Sequence, residues 1–182
     1  MTSGGPAGGP GERALSVPAQ AGQADAAGLA EVATLVNLRD VGGLPTADGG
    51  QTRPGVLYRS EAPRPGDAAP DAVPVWPPRT VIDLRSGVER DQHPLAGNGT
   101  QVHVVSLLGA QLAGDAQRAR SALSGGLRTL YLAMLEHSAS GLVEVLRLAA
   151  GAPGPVLVHC AVGKDRTGVS VALLLRAAGV TR

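Results

Sequence analysis

The length, composition and charge of the chain exclude several classes of protein. Its 182 residues suffice for one domain with a real core and are too few for two comfortable domains. A formal net charge of +1 and an aromatic content of 2% exclude a strongly basic nucleic-acid binder and a stacking platform for single strands.

The amino-terminal segment carries neither a targeting signal nor a periodic apolar pattern. Residues 1–29 are rich in Gly, Pro, Ala and Ser, so they cannot bury enough surface to offset their ordering entropy. We predict a disordered tail over 1–29 and one domain over 30–182. With no signal peptide and no run of roughly 18 apolar residues, we expect a cytoplasmic protein without a membrane span.

The predicted domain begins with strands and a proline-rich loop. Residues 37–43 and the turn sequence at 48–50 predict a hairpin, and a short strand follows at 56–58. Residues 63–78 contain repeated prolines that break regular elements, so this stretch predicts a long surface loop.

The rest of the chain predicts an α/β fold. Short β-branched apolar runs at 80–84, 102–105 and 155–158 are typical of strands buried on both faces. Apolar spacing predicts helices over 127–135 and 142–150, and a third helix from about residue 166 to the glycine at 179. We expect a mixed or parallel central sheet flanked by helices.

The last predicted strand runs through a loop into a helix, which predicts a phosphate-binding nest. Such a loop collects backbone N–H groups at the positive end of the helix dipole. Arg166, six residues after Cys160, could hold two phosphate oxygens, and Gly163 and Gly168 permit a tight backbone path. The predicted phosphate-binding residues are Ala161, Val162, Gly163, Lys164, Asp165 and Arg166.

The same nest predicts nucleophilic chemistry at Cys160. Helix amino termini and nearby cations lower the pKa of a thiol, so Cys160 is predicted to attack phosphorus as a thiolate. Arg166 and the loop amides would stabilise the phosphoryl oxygens, and Thr167 would hydrogen-bond the departing thiolate. A single cysteine and four histidines without ligand spacing, at positions 93, 103, 137 and 159, predict no metal.

The sequence HCAVGKDRTG at 159–168 resembles the His-Cys-five residues-Arg-Ser/Thr signature of protein tyrosine phosphatases. With the blocks at 37–43, 57–60 and 81–86, it resembles the atypical bacterial tyrosine phosphatases of the mycobacterial phosphatase B type. The resemblance implies hydrolysis of phosphotyrosine without a cofactor, with phosphoserine, phosphothreonine and phosphoinositides as further candidate substrates. It also implies Asp165 as general acid and supporting roles for His159, Thr167 and Gly168.

Two features bear on how far the resemblance extends. Lys164 is similar to the loop lysine of phosphoinositide phosphatases, but Ala161 and Val162 stand where those enzymes carry a further basic residue, which argues against a strong lipid preference. The family continues for several helices beyond this loop helix. We therefore expect part of the fold to be missing, leaving an apolar face at Leu174 and Leu175.

Alternatives remain open for several residues. Asp165 could merely cap the helix, and Trp76-Pro77 is interpreted as a surface turn, not as an acid-bearing loop. A polar cluster behind the loop and an ordinary surface ion pair are both open for Asp83, Arg85 and Glu89. For the whole chain, the alternatives to a phosphatase are an inactive phosphate-binding module and, less favoured, a sulfur-transfer enzyme.

Overall fold

The computed structural model describes residue 1 and residues 35–67, 71, 73–90, 92–97, 99–107 and 125–181. Of the predicted tail, residues 2–29 lie outside this part of the chain. The described elements, in chain order, are strands β1 (Arg39–Asp40), β2 (Leu57–Ser60) and β3 (Thr80–Asp83), a 3-10 turn (Gly87–Glu89), β4 (Gln101–Val104), helices α1 (Gly126–His137) and α2 (Ala139–Gly151), β5 (Val156–His159) and α3 (Asp165–Ala177).

The strands form one sheet in the order β1-β2-β5-β3-β4. Strands β2, β5, β3 and β4 run parallel, and β1 pairs antiparallel with β2 at one edge. Every residue of β3 and β5 is buried, as expected for central strands covered on both faces. The predicted α/β fold with a mixed, mostly parallel sheet is confirmed.

Two apolar layers cover the two faces of the sheet, because successive strand residues point to opposite sides. One face packs against α2 and α3 and contains Ile82, Val158 and Cys160. The other face contains Tyr58, Val81 and Leu157, with Val73 and Trp76 of the proline-rich segment packed over it. That segment is therefore part of the core, although its described residues form turns and no helix or strand.

Turns and helix ends follow the predicted signals. The turn at 48–50 is closed by a bridge between Pro45 and Gln51, and Gly49 has a φ of 83°. The strand before it, β1, pairs with β2 and not across this turn, so the predicted hairpin is only partly correct. The second predicted helix ends at Gly151 as expected, and Gly179 follows the last helix with a φ of 78°.

The face predicted to lack neighbours lines a groove. Leu174 and Leu175 are half-buried, and they border an apolar cavity of about 620 Å³ together with Val41, Leu57 and Leu146. Among the described residues, none of the helices combines the length and the apolar character that crossing a bilayer requires.

Candidate active site

The predicted phosphate loop lies where the central strands end. It leaves β5, which is flanked by β2 and β3, and it enters α3 at Asp165. In open parallel sheets, the carboxyl ends of the central strands form the edge at which ligands bind. Trp76 and Pro77 precede the amino end of β3, which runs parallel to β5, and they therefore lie toward the opposite edge. Pro77 is exposed but Trp76 is half-buried against the second apolar layer, so the surface turn predicted for this pair is only partly correct.

Gly163 fixes the sharp path of the loop. Its φ is 74°, and a Cβ at this position would lie 2.3 Å from the carbonyl oxygen of Ser60. No side chain fits there. At Gly168, by contrast, a Cβ would meet only Arg59 Nη2 at 3.8 Å, so the tight-path explanation applies to Gly163 and not to Gly168.

Side chains from the first two sequence blocks hold the loop carbonyls from outside. Asn37 donates its amide to the carbonyl of Val162 at 3.0 Å, and Arg59 Nη2 donates to the carbonyl of Gly163 at 2.7 Å. With these carbonyls pointing outward, the peptide N–H groups are left for the inner side of the loop, where an anion would lie. The blocks at 37–43 and 57–60 are recognisable in the sequence, but their role in holding the loop is visible only in the structure.

Cys160 is almost fully buried at the centre of the nest, with 3% of its surface exposed. Burial raises the pKa of its thiol, but the Thr167 hydroxyl and the amides of Thr167, Gly163 and Val162 outweigh burial and lower it. The amide of Gly163 lies 3.2 Å from the sulfur. The Thr167 hydroxyl is itself buried without a hydrogen bond of regular geometry, so its proton is available to the sulfur. These donors favour a thiolate.

Arg166 forms a two-point ion pair with Glu89. Its two terminal nitrogens each lie 2.7 Å from a different oxygen of the Glu89 carboxylate. Ser86 holds that carboxylate with its amide at 2.9 Å and its hydroxyl at 2.7 Å. The hydrogen bonds from Arg166, with those from Ser86, outweigh the effect of burial and lower the pKa of Glu89 to about 2. Glu89 in turn raises the pKa of Arg166.

Asp165 accepts a hydrogen bond from Tyr131 of α1. The hydroxyl lies 2.9 Å from Asp165 Oδ1, and the carboxylate raises the pKa of Tyr131. Lys164, and not Asp165, stands at the N-cap position, and no side-chain capping bond is found there. The contacts of Asp165 therefore do not support the capping alternative. Lys164 itself is exposed beside the nest.

A buried polar cluster lies behind the loop. Asp83, 1% exposed, accepts from the amide, Nε and Nη2 of Arg85 at 2.8–3.2 Å. His159 Nε2 lies 3.9 Å from Asp83 Oδ1 and 2.9 Å from His93 Nε2. This geometry resolves the open question for Asp83 and Arg85: their ion pair is a buried support, not a surface pair. Burial raises the pKa of Asp83, but the hydrogen bonds from Arg85 and the nearby His159 outweigh it and lower the pKa, which makes Asp83 a poor proton donor.

The same cluster has the composition of a metal site. Ligand atoms of Asp83, His93 and His159 all lie within 4.8 Å of one another. The Asp83 carboxylate is, however, already bound to Arg85, and the two imidazoles are hydrogen-bonded to each other. A metal would have to break both interactions, so the absence of a metal remains our prediction.

Comparison with known proteins finds relatives of this chain and its family. A tyrosine-protein phosphatase of Nostoc commune is 37% identical over 120 residues, covering 64% of this chain and 40% of the relative. A putative tyrosine-protein phosphatase of Cupriavidus necator is 32% identical over 158 residues, covering 82% of this chain and 57% of the relative. The chain spans about half the length of these relatives. Residues 30–182 match the sequence profile of the tyrosine phosphatase family, and the chain belongs to that family.

Proposed function

We propose that the chain hydrolyses phosphotyrosine and related phosphomonoesters through a phosphocysteine intermediate on Cys160. The observation that carries this proposal is the environment of the Cys160 thiol. It lies in a loop whose carbonyls are held outward, its pKa is lowered by the loop amides and Thr167, and Arg166 stands beside it. A buried cysteine that served only as core filler would need none of these donors.

In the first step, the Cys160 thiolate attacks phosphorus, an S–P bond forms, and the bond from phosphorus to the aryl oxygen breaks. The electron pair of that bond goes to the leaving oxygen, which takes a proton from Asp165. In the second step, water attacks phosphorus and gives a proton to the Asp165 carboxylate. The S–P bond then breaks, and the Thr167 hydroxyl stabilises the thiolate that departs.

Arg166 is the phosphate clamp in this mechanism. The end-on pair with Glu89 uses one hydrogen of each terminal nitrogen, and no hydrogen bond of regular geometry from Nε is found among the described residues. The Nε edge of the planar guanidinium, beside Cys160, can therefore take two phosphoryl oxygens. Glu89 therefore orients the guanidinium without occupying the edge that the substrate needs. The loop amides complete the contacts to the equatorial oxygens as charge develops on them.

The surroundings of the loop favour an aryl phosphate over a lipid phosphate. Val162, 53% exposed, and Ala161 form an apolar rim, and Lys164 adds one exposed cation. A polyanionic headgroup would need more positive charge than the described residues of this rim provide. We assign the chain to the atypical bacterial branch of the family, on the four sequence blocks, and we place the domain boundary near residue 30.

The test is hydrolysis of p-nitrophenyl phosphate and of a phosphotyrosine peptide by the purified chain, with Cys160→Ser as the matched control. We expect turnover of both substrates by the wild type and none by the variant. If the wild type binds vanadate but releases no phosphate from either substrate, the inactive-module alternative is correct and the proposal is wrong.

A further inference from the structure

Three hydrogen bonds in series connect the loop at 92–97 to the backbone of Cys160. The amide of Leu95 lies 3.2 Å from His93 Nδ1. His93 Nε2 lies 2.9 Å from His159 Nε2, and His159 Nδ1 lies 3.3 Å from the carbonyl oxygen of Cys160. Both imidazoles are buried, His159 completely and His93 to all but 8%.

The chemistry of the two ends sets the direction of this series. A backbone amide can only donate, so His93 Nδ1 must accept the bond from Leu95. A neutral imidazole carries one hydrogen, which on His93 must then lie on Nε2 and point to His159 Nε2. His159 accepts there and therefore carries its own hydrogen on Nδ1, which faces the Cys160 carbonyl, an acceptor. All three bonds are satisfied by one pair of tautomers only.

From this series we infer that His93 is a positioning residue for the catalytic loop. It fixes His159 in the tautomer that donates to the carbonyl of Cys160, and this bond turns that carbonyl away from the side where the nucleophile meets its substrate. This inference rests on the proposed function, because it assigns His93 a role in the same site. His93 touches neither the substrate nor the sulfur and acts through His159.

Burial of the pair favours the neutral form of both rings. Burial lowers the pKa of His93, and it lowers the pKa of His159 to about 4, although the nearby Asp83 carboxylate acts in the opposite direction. Arg85, bound to Asp83, adds to the lowering at both rings. A proton on either imidazole would place two hydrogens face to face or deprive Leu95 of its acceptor. The neutral pair is thus the state in which every donor has a partner.

The direct test is nitrogen NMR of the histidine-labelled full chain, compared with His93→Gln and His93→Leu. The chain has four histidines, so the signals of residues 93 and 159 can be assigned from these variants. We expect His93 with its hydrogen on Nε2 and His159 with its hydrogen on Nδ1. Glutamine retains an N–H at the position of Nε2, so His159 should keep its tautomer in His93→Gln and lose the single tautomer in His93→Leu. His159 carrying its hydrogen on Nε2 in the wild type would overturn the inference.

Kinetic measurements distinguish a positioning role of His93 from a role in packing alone. Loss of loop geometry in His93→Leu should lower kcat on the order of 10- to 100-fold with a smaller change in KM, because a misplacement of about 1 Å can cost that much. His93→Leu should also shift the pH profile of Cys160 alkylation by iodoacetamide to higher pH. His93→Gln should keep most of the wild-type kcat and a pH profile close to that of the wild type. Equal losses in the two variants would mean that His93 only fills space. Alkylation and NMR need no turnover, so they decide the inference even if the chain hydrolyses no phosphate ester.

Discussion

Glu89→Gln tests the ion pair that orients Arg166. Glutamine keeps the size of the side chain and one acceptor for Ser86, but it removes the charge and one of the two oxygens that Arg166 binds at 2.7 Å. The guanidinium would then be held at one point, so it would have to be ordered when the phosphate binds. We expect weaker stabilisation of the phosphoryl group in the transition state.

The magnitude follows from the ionisation of Glu89. A pKa of about 2 in place of the ordinary 4.5 sets an upper limit of about 3 kcal/mol on the stabilisation of its charged form. Since 33% of the side chain is exposed, solvent screening reduces this to roughly 1–2 kcal/mol. That free energy corresponds to a loss in kcat/KM of roughly 5- to 30-fold.

The assay is kcat/KM for p-nitrophenyl phosphate and for a phosphotyrosine peptide, measured in wild type, Glu89→Gln, Arg166→Lys and the double variant. In Glu89→Gln, kcat/KM should fall by the same factor for both substrates, because Arg166 contacts the phosphoryl group and not the leaving group. In the Arg166→Lys background, Glu89→Gln should lower kcat/KM little further, since the two-point pair is already lost. Losses that multiply in the double variant would refute a role of Glu89 through Arg166.

Three further outcomes follow from the site. Asp165→Asn should lower kcat strongly with phosphotyrosine and much less with an activated aryl phosphate, since only the poor leaving group needs a proton; equal losses for the two substrates would place the acid elsewhere. Tyr131→Phe removes one hydrogen bond to Asp165, so it should lower kcat less than Asp165→Asn does, with the same dependence on leaving group; a loss equal for both substrates would refute its role in holding Asp165. His159 is buried and neutral, with a pKa of about 4 in place of 6.5. Its contribution to the free energy of unfolding should therefore be complete above pH 6.5 and be lost as the pH falls toward 4, by up to about 3 kcal/mol. Thermal melts across this range measure the loss, and a flat profile would contradict a buried neutral imidazole.

The features predicted from sequence are those encoded over short distances along the chain. Strand β5, the turn at Gly163 and helix α3 follow one another directly, so apolar runs, a glycine and an arginine suffice to predict strand, loop and helix. The parallel sheet was predicted for the same reason, since each central strand carries its own buried apolar run. Its order, with β5 inserted between β2 and β3, depends on contacts that no local pattern encodes.

The partners of the site residues required the tertiary structure. Arg166 meets Glu89 across 77 positions, Arg59 reaches Gly163 across 104, and Tyr131 reaches Asp165 across 34. Charged and polar side chains are common on any surface, so their pairing cannot be predicted from residue type alone. The sequence offers one indication of these pairings: the blocks at 57–60 and 81–86 occur together with the loop. The first block contains Arg59, and the second contains Arg85, which lies four positions before Glu89.

The most direct measurement of the central claim is acid quenching of the chain during turnover of p-nitrophenyl phosphate, followed by mass spectrometry of the peptide that contains Cys160. Cys160 is the only cysteine of the chain, so a phosphoryl group on sulfur has one location. A phosphocysteine mechanism predicts a peptide heavier by one phosphoryl group in the wild type, and no such peptide and no turnover in Cys160→Ser. Continued turnover by Cys160→Ser, or rapid turnover by the wild type with Cys160 unmodified at every quench time, would contradict it.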